Sequence, residues 1–86
     1  MNKLRRFASG QSCTLRIEGV CNGNPETTVL AHLRGAGMAV KLNDHLAVHA
    51  CSRCHEYIDS SPPDYWDRIP AALYETLGRL RAAGLI

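Results

Sequence analysis

Ala50-Cys51-Ser52-Arg53-Cys54-His55-Glu56-Tyr57-Ile58-Asp59 is the stretch around which the rest of this 86-residue chain is organised. Two residues between Cys51 and Cys54 allow both sulfurs to converge on one tetrahedral ion at about 2.3 Å. Ser52 can cap a helix running to about Asp59, with Cys54, Tyr57 and Ile58 on one side of it. Ser60-Ser61-Pro62-Pro63 then ends that helix, because a residue before proline avoids the helical region. Upstream lie Cys13 and Cys21, with seven residues between them and 29 more before Cys51. Gly19-Val20-Cys21-Asn22-Gly23-Asn24-Pro25 is rich in turn formers, and Asn22-Gly23 suits positive φ, so a knuckle is expected around Cys21. Four thiolates in this arrangement predict a closed, structural Zn(II) site built from Cys13, Cys21, Cys51 and Cys54.

A chain of this size buries only about 60 to 65% of its unfolded surface, so its core is marginal and a staple is expected. Apolar content is an ordinary 45%, but Phe7, Tyr57, Tyr65, Trp66 and Tyr74 are its only aromatic residues. Two disulfides or one metal could supply the staple, and the redox compartment chooses between them. The opening Met1-Asn2-Lys3-Leu4-Arg5-Arg6-Phe7-Ala8-Ser9-Gly10 has basic residues without the apolar run of a signal peptide. No segment has the length of apolar sequence that a membrane span needs. The expectation is a cytoplasmic protein with reduced thiols. A redox Cys-x-x-Cys would want a thioredoxin-like parallel sheet, for which there is no room, and the compact ferredoxin spacings are absent.

Outward from the cysteines, Thr14-Leu15-Arg16-Ile17 alternates as a short strand would, and Thr27 to Leu33 is β-branched and apolar enough for another. His45 to Ala50 reads as a strand or turn. A second helix is expected from about residue 68 or 69 to 83, with Asp67 as its cap, Pro70 in its first turn and Gly84 as its stop. Ile69, Leu73, Leu77 and Leu80 form its apolar stripe, and an exposed apolar edge there could support a homodimer. The +2 net charge is unevenly spread: residues 1–43 carry six basic and two acidic side chains, residues 44–86 four and six. Lys3, Arg5, Arg6, Arg16, Arg34 and Lys41 could therefore face phosphates, although solvated surface is the plainer interpretation of such charges.

His55 follows the second thiolate directly and Asp59 lies one helical turn on, so both fall on one helix face and could share a metal. With Gly19 to Thr27, Leu30-Ala31-His32-Leu33-Arg34 and Ala50 to Asp59 in order, the sequence resembles the His-Asn-His (HNH) endonucleases of the ββα-metal fold, and among them the small phage and prophage nucleases. The likeness covers about residues 8–60. It implies an α+β architecture, a zinc-stapled ββα-metal domain with an added C-terminal helix, in which residues 1–86 form one nuclease domain working in the bacterial host cell. It also implies that His32 is the general base that takes a proton from the attacking water, and that His55 and Asp59 ligate a catalytic Mg(II) or Mn(II) ion. Arg34, Arg16 and Lys41 would hold the DNA backbone.

The sequence departs from the family pattern just before the base, where Ala31 stands in place of a metal-ligating Asp or His. Asn43 is the candidate for the loop-fixing asparagine, Asp44 or His49 could substitute as ligand or orienter, and His45 and His49 are otherwise taken as surface or supporting residues. Ala31 sustains an alternative, a non-catalytic zinc-ribbon module that binds nucleic acid or a protein. Convergence of His32 with His55 and Asp59 would favour the enzyme; His32 pointing away would favour the module.

Overall fold

A computed structural model of the chain describes residues 3–33 and 46–86. Helix α1 spans Lys3–Ala8, strand β1 Val29–His32, strand β2 Ala47–Ala50, helix α2 Ser52–Asp59 and helix α3 Tyr65–Ala82. The two strands pair antiparallel, with Val29 opposite Ala50, Leu30 opposite His49, Ala31 opposite Val48 and His32 opposite Ala47. This is a small α+β protein with a two-stranded sheet.

Alternation along each strand sends neighbouring side chains to opposite faces, and each face has its own core. Ala31, Val48 and Ala50 pack with Cys54 and Ile58 of α2 and with Ile69 and Ala72 of α3. Leu30 and Ala47 pack on the other face with Leu4 and Ala8 of α1 and Leu80 of α3. Helix α1 was not expected from the sequence, where only its charge drew notice. Six residues are too few for a helix to persist unaided, and burial of Leu4 and Ala8 accounts for its presence.

Helix α2 has the expected bounds, but its cap differs. Cys51, not Ser52, occupies the N-cap, and its sulfur accepts the Cys54 backbone N–H at 3.4 Å. A cysteine sulfur thus serves as both helix cap and candidate metal ligand. Helix α3 starts at Tyr65, earlier than expected, and Asp67 falls in its first turn while Asp64 holds the cap position. The Asp64 carboxylate makes no capping bond, since it accepts the Tyr57 hydroxyl at 3.0 Å and the Arg68 Nε at 2.8 Å, tying α2 to α3. Burial of Tyr65 to 7% exposure in the α2 core explains the early start better than local capping does. Pro70 consequently lies beyond the first turn, on the exposed side of α3.

The strand expected at Thr14–Ile17 does not form. Arg16 has φ 46°, in the left-handed region, where a side chain costs about 1 to 3 kcal/mol and strand geometry is lost. Thr14 instead directs both its N–H and its hydroxyl to the His49 carbonyl, each at 2.8 Å. The knuckle does form as expected: the amides of Val20 and Cys21 donate to the Ile17 carbonyl, and Gly23 takes φ 66°. No helix among the described residues is long and apolar enough to cross a membrane.

Candidate functional site

The knuckle and the start of α2 bring Cys13, Cys21, Cys51 and Cys54 into one group whose sulfurs all lie within 4.8 Å of one another. None is in a disulfide. Four ligands at about 2.3 Å from a tetrahedral centre would sit about 3.8 Å apart, and the Cys21 and Cys51 sulfurs are 3.8 Å apart. The donor set and its dimensions therefore fit a metal such as zinc. Burial pushes the Cys51 thiol up, but amide N–H groups of Cys54 and Asn22 aimed at its sulfur outweigh this and hold it down at about 7. Burial pushes Cys54 well above the ordinary thiol range; a cation in the group would reverse that effect.

Polar side chains fix the approach of the knuckle to α2. The Asn22 amide donates to Thr27 Oγ1 and Ser52 Oγ, each at 3.1 Å, and the Ser52 backbone N–H donates to Thr27 Oγ1 at 3.3 Å. Further out, Arg16 forms a two-pronged contact with Glu75 of α3 at 2.8 and 2.7 Å. Arg79 donates to the same carboxylate at 2.7 Å and to the Ser12 carbonyl at 2.8 Å. Arg16, expected to face nucleic acid, is thereby matched with a carboxylate on α3 and clamps the cysteine-bearing segment to it. The Glu75 carboxyl is held down at about 2, chiefly by the Arg16 hydrogen bonds.

On α2, His55 Nε2 and Asp59 Oδ2 lie 3.3 Å apart, with both side chains partly exposed. Adjacent ligands of an octahedral ion at about 2.1 Å would be about 3 Å apart, so this pair could serve as two ligands of a second ion. His32 lies elsewhere on the hairpin. Its pairing with Ala47 puts it on the α1 face, and it lines an open cavity together with Arg5, Arg6, Ser9, Glu26 and Thr28. Neither His55 nor Asp59 lines that cavity. Ala31, the preceding residue, is fully buried on the α2 face and contributes only a methyl group there. The structure thus joins His55 with Asp59, and sets His32 among α1 arginines.

Of the alternatives for His49, surface or supporting residue, the structure removes the surface one, for it is fully buried. Its ring lies 5.9 Å from that of Phe7. Its Nδ1 is 3.1 Å from an Arg79 nitrogen, and because guanidinium only donates, Nδ1 must accept and Nε2 carries the proton. Burial, reinforced by the Arg79 charge, lowers its pKa to about 4. That is a neutral core histidine, and the Thr76 hydroxyl accepts its backbone N–H at 3.0 Å. The signal missed in the sequence is the even spacing from Ala47 to His49, which puts both on one sheet face. Arg34, Lys41, Asn43, Asp44 and His45 lie outside the described residues.

Comparison with known proteins places these features in a wider setting. The chain is 53% identical over 62 residues to "Putative nuclease YbcO" of Escherichia coli (strain K12), and equally so to "Putative nuclease ybcO" of Enterobacteria phage 82. In each case the match takes in 69% of this chain and 65% of the relative, so the chain spans just under two thirds of the length of those proteins. A solved structure described as a putative bacteriophage protein from Escherichia coli str. K-12 substr. MG1655 superposes with a TM-score of 0.78 at 38% identity, covering 95% of this chain and 100% of that one. The family model described as "Putative nuclease YbcO" matches residues 2–85, almost the whole chain, and it is to this phage-associated family that the protein belongs.

Proposed function

We propose that the protein is a divalent-metal-dependent endonuclease that hydrolyses phosphodiester bonds in DNA, on an HNH-like ββα-metal frame formed by β1, β2 and α2. The observation that carries this reading is the His55–Asp59 pair, 3.3 Å apart on the helix that immediately follows the hairpin. Family membership supports the nuclease class. In this reading Zn(II) on Cys13, Cys21, Cys51 and Cys54 is structural, since a thiolate cage leaves no open position for substrate.

His55 and Asp59 would hold a Mg(II) or Mn(II) ion, whose charge would be available to the scissile phosphate and the departing 3′ oxygen. Two protein ligands suit an ion that keeps several waters and takes further oxygens from the substrate. His32 would accept the proton of the attacking water. Arg34 and Lys41 would contribute charge for the DNA backbone, with Asn43 and Asp44 as supporting residues, as the family resemblance implies. Activity is assigned to the cytoplasm of the bacterial host.

A specific observation favours a second reading, a non-catalytic zinc-stapled module that binds nucleic acid. Ala31 presents a methyl toward α2, and His32 lies in a cavity that does not include the α2 pair. Nicking of supercoiled plasmid with added Mg(II) or Mn(II) separates the two. The endonuclease reading expects metal-dependent nicking that His32→Ala and His55→Ala each reduce by about a hundredfold or more, in line with loss of a general base or a metal ligand. Wild-type protein that retains its zinc and binds DNA without nicking it would establish the binding module instead.

A further inference from the structure

The cavity between α1 and β1 belongs to neither metal site. It is open and measures about 580 Å³, within the usual range for a small-molecule site and ample for one nucleotide unit. Its wall brings together Arg5 and Arg6 from α1, Ser9 just beyond that helix, and Thr28 and His32 from the strand side. Leu4 and Ala8, buried beside them in the sequence, anchor α1 against Leu30. The two guanidinium groups are therefore carried on a helix that the core holds in position. Glu26 also lines the cavity, so among the described lining residues two arginines stand with one carboxylate.

Thr28 supplies an independent sign of a missing partner. It is 3% exposed, and its Oγ1 has no hydrogen-bond partner among the described residues. A buried hydroxyl left unpaired is destabilising, and rotation about its one side-chain torsion would bring that hydroxyl toward the cavity that Thr28 lines. Guanidinium forks with hydroxyl donors beside them are the chemistry that holds tetrahedral oxyanions.

We propose that this cavity seats a backbone phosphate of the nucleic-acid strand, with Arg5 and Arg6 as its charge partners and Ser9 and Thr28 as hydroxyl donors. The inference rests on nucleic acid being the substrate and specifies where the strand lies: along α1, on the His32 side of the hairpin and away from the cysteine group. Glu26 opposes the phosphate and limits affinity.

Fluorescence anisotropy with a labelled 20-base-pair DNA duplex, titrated across about 50 to 200 mM salt, tests the site. Arg5→Ala and Arg6→Ala should each weaken binding and reduce the slope of log affinity against log salt by about one. Thr28→Val, which keeps the shape of the side chain, should weaken binding without changing the slope, and Glu26→Gln should tighten it. Lys3→Ala serves as the control, since Lys3 is exposed on the same helix and does not line the cavity. Melting temperatures close to wild type establish that each variant is folded. Slopes for the arginine variants equal to those of wild type, or a loss no greater than for Lys3→Ala, would overturn the proposal. So would saturable binding of inorganic phosphate that Arg5→Ala and Arg6→Ala abolish while duplex affinity stays at the wild-type value, because the cavity would then belong to a free phosphate. Failure of wild-type protein to bind any DNA would instead overturn the nucleic-acid reading itself, and this proposal with it.

Discussion

Replacing Glu75 with glutamine should loosen the attachment of the cysteine-bearing N-terminal segment to α3 and do so in a pH-dependent way. The carboxylate accepts two hydrogen bonds from Arg16 and one from Arg79, at 2.7 to 2.8 Å. Its pKa, about 2 against an ordinary 4.5, would correspond to about 3.4 kcal/mol if converted in full. The Glu75 and Arg16 side chains are 36% and 55% exposed, so solvent screening reduces the contribution to about 1 kcal/mol. For a domain of this size that is a melting temperature lower by about 4 to 8 °C in Glu75→Gln at pH 7. The depressed carboxylate favours the folded state above pH 4.5, and its contribution disappears as pH falls from 4.5 toward 2. Thermal unfolding of wild type and variant across that range, followed by circular dichroism, measures the effect. Acid also protonates the cysteines and releases their metal, so the comparison is confined to pH values below 4.5 at which both proteins still unfold cooperatively. Equal melting temperatures at pH 7, or a gap that does not narrow on that acidic side, would refute this reasoning.

Other outcomes are equally specific. Purified protein should carry about one zinc per chain, and Cys54→Ser should lose it and fail to give a cooperative melting transition, because small metal-stapled domains fold with their metal; absence of metal in wild type would remove the structural site. Thr76→Val should cost about 1 to 3 kcal/mol in denaturant unfolding, since it strands the buried His49 backbone N–H that now donates to Thr76 Oγ1. Ile58→Ala, at a position 1% exposed in the core beneath α2, should cost about 2 to 5 kcal/mol by the same measurement. Asp59→Asn should weaken Mn(II) binding measured by isothermal titration while leaving the melting temperature within about 2 °C of wild type, as expected of an exposed side chain.

Some elements were legible because their cause is local. The start of α2 was legible from Ser52, although the Cys51 sulfur is what caps it, and the Ser-Ser-Pro-Pro run specifies its end without help from distant residues. Gly23 takes the positive φ that Asn22-Gly23 announced. The β-branched and apolar run after Pro25 does contain a strand, although Pro25–Thr27 takes a 3-10 turn and delays its start to Val29. Alternation at Thr14–Ile17 was a weaker guide. A single left-handed residue, Arg16, suffices to break a strand, and nothing in four residues of sequence reveals the Glu75 carboxylate, 59 positions away, that receives its side chain.

By itself, the sequence determined the four-cysteine group, the His55–Asp59 spacing and the bounds of α2, since thiolate chemistry and helical periodicity act over a few residues. Tertiary structure alone decided that His49 would be buried, that Arg16 would grip α3, and that Arg5, Arg6 and His32 would line one cavity. Those outcomes depend on which sheet face meets which helix. That choice is made by the combined burial of Leu4, Ala8, Leu30, Ala47 and Leu80, residues too far apart in the chain for any local pattern to reveal.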